Sequence, residues 1–233
     1  MKKESRRSFV RKTAAITSGV LATNVTFQSF ANVNENKKLK LAVVGCGGRG
    51  SGAVVQALNA DENIELVSMA DAFKDRIDSS LKAIQEEFGK SKKINVKEKN
   101  IFTGFDGYKK AIDLCDVVIL TTPPGFRPLH FEYAIDNEKH VFMEKPVATD
   151  ATGVRRVLES AKKAKENKLN VVVGLQRHYQ NKYINLHHKV SSDEIGKIVS
   201  GQVYWNDGGV WVNKRKPEQK ELEYQMRNWY YFN

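Results

Sequence analysis

Lys38-Leu39-Lys40-Leu41-Ala42-Val43-Val44-Gly45-Cys46-Gly47-Gly48-Arg49-Gly50-Ser51-Gly52 governs the reading of the whole 233-residue sequence. The first seven residues are a short, largely apolar run, the pattern of a parallel strand buried on both faces. The run passes directly into glycines 45, 47 and 50, a G-x-G-x-x-G spacing, and a helical segment follows over residues 53–59. Each glycine has a separate physical task. The first makes the tight turn out of the strand, the second lets backbone approach a diphosphate, and the third lets helix pack on strand. Backbone N–H groups at the helix start then face the phosphates.

The context supports that reading. A second strand, residues 64–70, ends at Asp71, 26 positions after Gly45. A carboxylate there can accept both ribose hydroxyls of an adenosine and repels a 2′-phosphate, which favours NAD over NADP. Arg49, Lys74 and Arg76 are nearby cations that pull the other way. The other use of Asp71 is as N-cap of a helix starting near Lys74. Further on, the pattern predicts a helix over 74–88, a polar loop over 90–99, a short strand at Ile101-Phe102 and a small helix over 106–112. It then predicts a strand over 116–120, a helix over 127–137, a strand over 139–143, a helix over 150–167 capped by Asp150 or Thr149, and a sixth strand over 170–174. Strands alternating with helices mean an α/β fold, a Rossmann-type doubly wound parallel sheet with right-handed crossovers. Ligands of such sheets bind beyond the C-terminal strand ends. The glycine loop, Asp71, the Thr121-Thr122-Pro123-Pro124 stop and Glu144-Lys145-Pro146 all fall there.

Composition excludes other classes. With 28% charged and 41% hydrophobic residues the chain is an ordinary folded protein. Two cysteines cannot make a disulfide scaffold. Cys46 sits in the glycine loop and Cys115 just before a strand, so neither is expected in a disulfide. The net charge of +11 is not a nucleic-acid signal. Residues 1–31 hold six basic residues and one acid, so five of those charges belong to that segment. Other basic clusters, such as Lys90, Lys92 and Lys93 or Lys162, Lys163 and Lys165, read as solvated faces. Ser5-Arg6-Arg7-Ser8-Phe9, an uncharged stretch over 13–31 and the small-x-small site Ser29-Phe30-Ala31 resemble a twin-arginine export signal. The stretch is too polar for a membrane span. The expectation is a signal peptide over 1–31 and a folded, cofactor-loaded protein exported to the periplasm of a Gram-negative cell.

Several motifs together resemble one family. They are the Val44–Gly50 loop, the Thr121-Thr122-Pro123 strand end, His130 in the next helix, and Lys139-His140-Val141 leading to Glu144-Lys145-Pro146. Gly174-Leu175-Gln176-Arg177 and Glu194-Ile195-Gly196-Lys197-Ile198 complete the set. The sequence is similar, over about residues 38–233, to the glucose–fructose oxidoreductase, inositol dehydrogenase and MocA-like (Gfo/Idh/MocA) family. The resemblance implies an NAD(P)-binding Rossmann domain (38–168) followed by an α+β domain (from 169) with a large open sheet. That sheet forms the sugar-binding face and the oligomer contacts, so a homo-oligomer is implied. The resemblance also places Lys145 beside the nicotinamide and the substrate hydroxyl. A partly desolvated lysine near a positive nicotinamide ring can hydrogen-bond the alcohol or exchange its proton while hydride leaves. The other reading of Lys145 is a surface lysine paired with Glu144. In this family a cis bond commonly precedes the proline at the position of Pro146.

The expected cofactor-binding set is therefore Gly45, Gly47, Gly48, Arg49, Gly50, Asp71, Thr121, Thr122, Pro123, His130, Glu144 and Lys145. Lys145 is the catalytic candidate. His130 is equally readable as a core histidine. Gln176, Arg177 and Tyr179 are the substrate-binding candidates, with inter-domain packing as their other use. No metal is expected, because the adjacent pair His187-His188 does not share a helix face.

A strand over 198–205 is expected to open the second domain's sheet, and Trp205, Trp211 and residues 229–232 form an aromatic-rich tail suited to a carbohydrate face, a core or an interface. No Gly-Asp-x-x-x-x-x-His pattern follows residue 177. The second domain is accordingly expected to be truncated, and the tail from roughly Gln176 to be poorly ordered or to need a partner surface. The leading functional expectation is an NAD-dependent oxidoreductase acting on a sugar or polyol hydroxyl. The alternatives are an NAD-dependent glycosidase working by oxidation and elimination, and an inactive nucleotide-binding fragment.

Overall fold

The computed structural model describes residues 38–89 and 91–232. The basic leader, with its twin-arginine reading, lies outside the described residues. Six strands form one sheet: β1 (Leu39–Val44), β2 (Ile64–Asp71), β3 (Ile101–Thr103), β4 (Val117–Leu120), β5 (His140–Met143) and β6 (Val171–Val173). Every pairing is parallel and the order is β3-β2-β1-β4-β5-β6. The chain winds outward from β1 through β2 and β3, then returns to the other side of β1 for β4, β5 and β6. Five helices connect the strands: α1 (Gly48–Ala60), α2 (Lys74–Phe88), α3 (Gly107–Asp113), α4 (Arg127–Asp136) and α5 (Ala151–Glu166).

The two-residue period of β1 explains the layers. Leu41 and Val43 point to one face, where they join Val54 and Leu58 of α1 and Ile77 and Ile84 of α2. Ala42 and Val44 point to the other, with Ile112 of α3, Phe131 and Ile135 of α4 and Val157 of α5. A strand buried on both faces reads as a continuous apolar run, as residues 41–44 do. Local chemistry sets the helix starts. Asp150 caps α5, its Oδ1 accepting from the Gly153 N–H at 2.6 Å. By contrast, α1 begins at Gly48, five residues before the expected helix, because the glycines themselves form its first turn.

Three expectations need correction. The sheet passes the expected boundary at 168, since β6 pairs with β5 and completes the nucleotide-binding sheet. The 90–99 segment is not a plain polar loop. Ile94 bridges to Leu66, and Lys93 is buried, its Nζ donating to Leu58 O at 2.6 Å and standing 3.0 Å from the Glu62 carboxylate. Finally, residues 198–205 form no strand. Val199, Val203 and Trp205 are exposed, and no strand among the described residues offers the backbone partners that a strand requires.

Beyond β6 the chain builds α6 (Asn181–Ser191), α7 (Glu221–Arg227) and a short turn over Trp229–Tyr231. Asn228 is buried and braces this region. Its side chain accepts from the Asn213 N–H at 2.7 Å and donates to Asn213 O at 3.1 Å. The tail thus has local structure of its own and docks on the start of α2 through Arg227 and Asp75. Among the described residues no helix is long and apolar enough to cross a membrane.

Candidate active site

The three glycines at the C-terminal end of β1 are distinguished by what a side chain would meet. At Gly45, with φ at 98°, a Cβ would stand 2.5 Å from Thr122 N. At Gly50 it would collide with Gly45 O. At Gly47 it would meet nothing within 4 Å. Protein packing therefore accounts for the first and third glycines, while the second faces open space. That space is the mouth of a cavity of about 620 Å³ lined by the glycine loop, Asp71, Thr121, Thr122, Pro123 and His130. The N-terminus of α1 has no side-chain cap and no acid in its first turn. A bare helix start leaves backbone N–H groups and a partial positive charge for an anion. Open backbone at Gly47 and an uncapped helix fit the diphosphate of a dinucleotide.

Asp71 ends β2 and is tied to this loop. Its Oδ2 accepts from the Cys46 N–H at 2.7 Å and its Oδ1 from the Phe73 N–H at 2.9 Å. It does not cap α2, whose first residue is preceded by Phe73 with no side-chain cap. Burial raises the Asp71 pKa, while its two backbone donors and Arg76 act in the opposite sense. Cys46 and Cys115 are free and buried, and burial pushes the Cys115 thiol up to about 12.

The end of β4 carries the opposite wall. Thr121 Oγ1 donates to Gly45 O at 2.6 Å, joining the two strand ends. Arg127, in the first turn of α4, is fully buried and donates to Leu120 O and, at 2.6 Å, to Thr122 O. Its Nε has no partner. Burial lowers its pKa to about 10, against the nearby Glu144 charge. Arg127 was absent from the expected site. The available signal was a cation in the first turn of a helix, where it opposes the dipole. His130 is a core histidine by its burial and also stands at the cavity. It is buried and packed 4.1 Å from the Tyr108 ring, yet it lines the cavity with Nδ1 3.2 Å from Thr122 Oγ1. Burial, then Arg127, depresses its pKa to about 3, so the imidazole is neutral near pH 7.

A second cavity of about 630 Å³ adjoins the first, sharing Arg49, Thr121, Thr122 and Trp229 with it. It brings together Glu144, Lys145, Gln176 and Tyr179. The Lys145-Pro146 bond is cis. Glu144 pairs with Arg49, whose Nε donates to Oε1 at 2.8 Å, and not with Lys145. Gly174 makes room for that carboxylate; a Cβ there would stand 2.7 Å from Glu144 Oε1. Lys145 itself is exposed. The expected partial desolvation is not found, because nothing among the described residues covers it. Arg177 does not line this cavity; its guanidinium lies 5.3 Å from the Tyr183 ring. Trp211, Asn213, Met226, Arg227 and Trp229 line the first cavity, an addition from the tail that the sequence reading missed.

Residues 39–175 match the family described as "Oxidoreductase family, NAD-binding Rossmann fold" (Gfo/Idh/MocA). The chain belongs to that family. Among Gfo/Idh/MocA relatives, an inositol 2-dehydrogenase of Salmonella typhimurium is 29% identical over 71% of this chain and 46% of its own length. A glycosyl hydrolase family 109 protein of Shewanella sp. (strain W3-18-1) is 21% identical over 96% of this chain and 49% of its own length. The crystal structure of myo-inositol 2-dehydrogenase from Lactobacillus plantarum superposes with a TM-score of 0.55 at 25% identity, covering 70% of this chain and 44% of that one. The chain spans about half the length of the curated relatives it matches.

Proposed function

We propose that this Gfo/Idh/MocA chain binds NAD(H) in the glycine-loop cavity and takes part in oxidising or reducing a hydroxyl of a sugar or polyol. The observation that carries this is the open face of Gly47 between two glycines required by packing, at an uncapped helix start. Bound NAD supplies or accepts the hydride. The chain's residues do the rest. The start of α1 holds the diphosphate, and Asp71, at the adenosine end, favours the free ribose hydroxyls of NAD over the phosphate of NADP. Lys145 Nζ holds the substrate hydroxyl and exchanges its proton, with Gln176 and Tyr179 of the same cavity as hydrogen-bonding neighbours.

The test is NADH binding to the full chain, followed by turnover on a panel of cyclitols and sugars. Lys145→Ala is expected to leave NADH affinity within about twofold while lowering turnover by roughly 10²–10⁴-fold, the usual scale of positioned acid–base chemistry. Turnover equal to that of the unaltered chain removes Lys145 from the chemistry.

The Shewanella relative aligns along 96% of this chain, beyond the Rossmann sheet and into the tail, whereas the inositol 2-dehydrogenase aligns along 71%. That reach favours a second reading, a glycosidase in which oxidation of a ring carbon is followed by elimination of the aglycone, addition of water across the resulting double bond, and re-reduction. Aglycone release without net NADH supports it; accumulation of NADH supports the first reading.

We also propose that residues 1–31 direct export by the twin-arginine route to a periplasm, supported by the Arg6-Arg7 pair ahead of an uncharged stretch. Replacing both arginines with lysine is the matching test, with retention in the cytoplasm the expected result. Homo-oligomerisation is proposed on family grounds, with solution mass as its check.

A further inference from the structure

The cofactor cavity and its neighbour share four residues, Arg49, Thr121, Thr122 and Trp229. Three of them belong to the Rossmann fold, Arg49 in the first turn of α1 and Thr121 and Thr122 just past the end of β4. The fourth comes from the tail, beyond the residues matched by the family. A dinucleotide whose ribose lies at Asp71 and whose diphosphate crosses Gly47 runs from β2 across β1. Its far end, the nicotinamide, then falls over β4, where those shared residues stand.

Trp229 is held there by a braced segment. Arg227 makes two hydrogen bonds to the Asp75 carboxylate, at 3.0 and 3.1 Å, and its guanidinium lies 4.1 Å from the centre of the Phe73 ring. Its Nε also donates to Glu223 at 3.0 Å. Trp211 and Tyr230 pack on the Trp229 indole, with ring centres 5.7 and 5.2 Å away. Preceding it, Asn228 is locked to Asn213 and to Tyr224 O. A cation over a ring and a bidentate pair anchor the segment to the start of α2.

We propose that the tail completes the dinucleotide site and that Trp229 positions its nicotinamide end at the junction with the second cavity. This rests on the reading that the cavity takes NAD(H). Indole offers a flat, apolar, electron-rich surface suited to a nicotinamide ring.

The experiment compares two probes on the full chain, NADH and ADP-ribose, by calorimetry. ADP-ribose reaches the same loop and Asp71 but carries no nicotinamide. Trp229→Leu is expected to weaken NADH about tenfold, the scale of one lost aromatic stack, and to leave ADP-ribose within about twofold. Trp229→Phe is expected to recover most of the loss. Trp205→Leu, at a residue 78% exposed and outside both cavities, is expected to change neither ligand. Equal losses for both probes show a merely structural role and overturn the proposal, as does an unchanged NADH affinity. If the unaltered chain binds neither probe, the NAD(H) reading itself fails, and the proposal with it.

Discussion

His130 shows how one side chain records its surroundings. Its ring is buried beside Tyr108 and close to the cationic Arg127, so protonation is opposed by lost solvation and by like charge. The folded-state pKa of about 3 lies below the unfolded value of about 6.5. The unfolded chain therefore binds the extra proton first as pH falls. The stability that this depression contributes is complete above about pH 6.5 and is lost progressively down to about pH 3. Urea unfolding should show stability falling with acid over that window, with a share of up to about 1.4 kcal/mol per pH unit from this residue. His130→Asn should flatten the slope by that share. An identical slope in the variant would place the histidine in contact with water or an anion.

At the scale of the element, the glycine loop and α1 work as a unit in which each glycine fails differently. Gly50→Ala drives a methyl into Gly45 O, and relief requires the loop or α1 to move. Gly47→Ala meets no protein atom and has an extended backbone at φ −77° that any residue adopts. The expected outcome is a split. Gly50→Ala lowers stability by about 1–3 kcal/mol, as overpacking does. Gly47→Ala changes stability by less than about 0.5 kcal/mol yet abolishes NADH binding. Thermal melts and NADH titration of both variants check this. The loop, Asp71 and the strand ends were legible from sequence because their signals are local: apolar runs, glycine spacing and stops. Arg127 was not, since its role depends on carbonyls of Leu120 and Thr122 that fold back against it. Nor was the second use of Asp71, which accepts one backbone N–H on each oxygen and keeps a further acceptor position on each. The 198–205 alternation was misread because periodicity shows which faces can pair without showing whether a partner strand is present.

At the scale of the whole molecule, the hydrogen bonds that span the most sequence among the described residues run from the tail to α2. Arg227 and Asp75 are 152 positions apart, and their contact makes the tail part of the wall of the first cavity. The Arg227 hydrogen bonds hold the Asp75 carboxyl below its usual range, with the Arg227 charge adding to the effect. A depressed carboxylate contributes stability above its unfolded pKa of about 3.9 that is lost as pH falls through the lower folded value. Acid below about pH 4 is therefore expected to release the tail, and Asp75→Asn to loosen it at neutral pH. Tryptophan fluorescence checks both, because Trp229, partly buried against Trp211 and Tyr230, moves to more solvated surroundings. A spectrum of Asp75→Asn identical to the unaltered chain at pH 7 would assign the docking to Phe73 and the other tail packing alone.

The strand order β3-β2-β1-β4-β5-β6 has a further consequence for how the chain acquires its site. Everything up to β3 can pair on one side of β1 as it is made, but the Thr121 wall arrives only when β4 docks on the other side. Residues 38–113 alone thus hold the glycine loop with one bank of the cleft and no opposite shore. Ligand affinity arises late, after the two windings meet, and a ligand that recognises only the finished cleft then pulls the folding equilibrium towards completion.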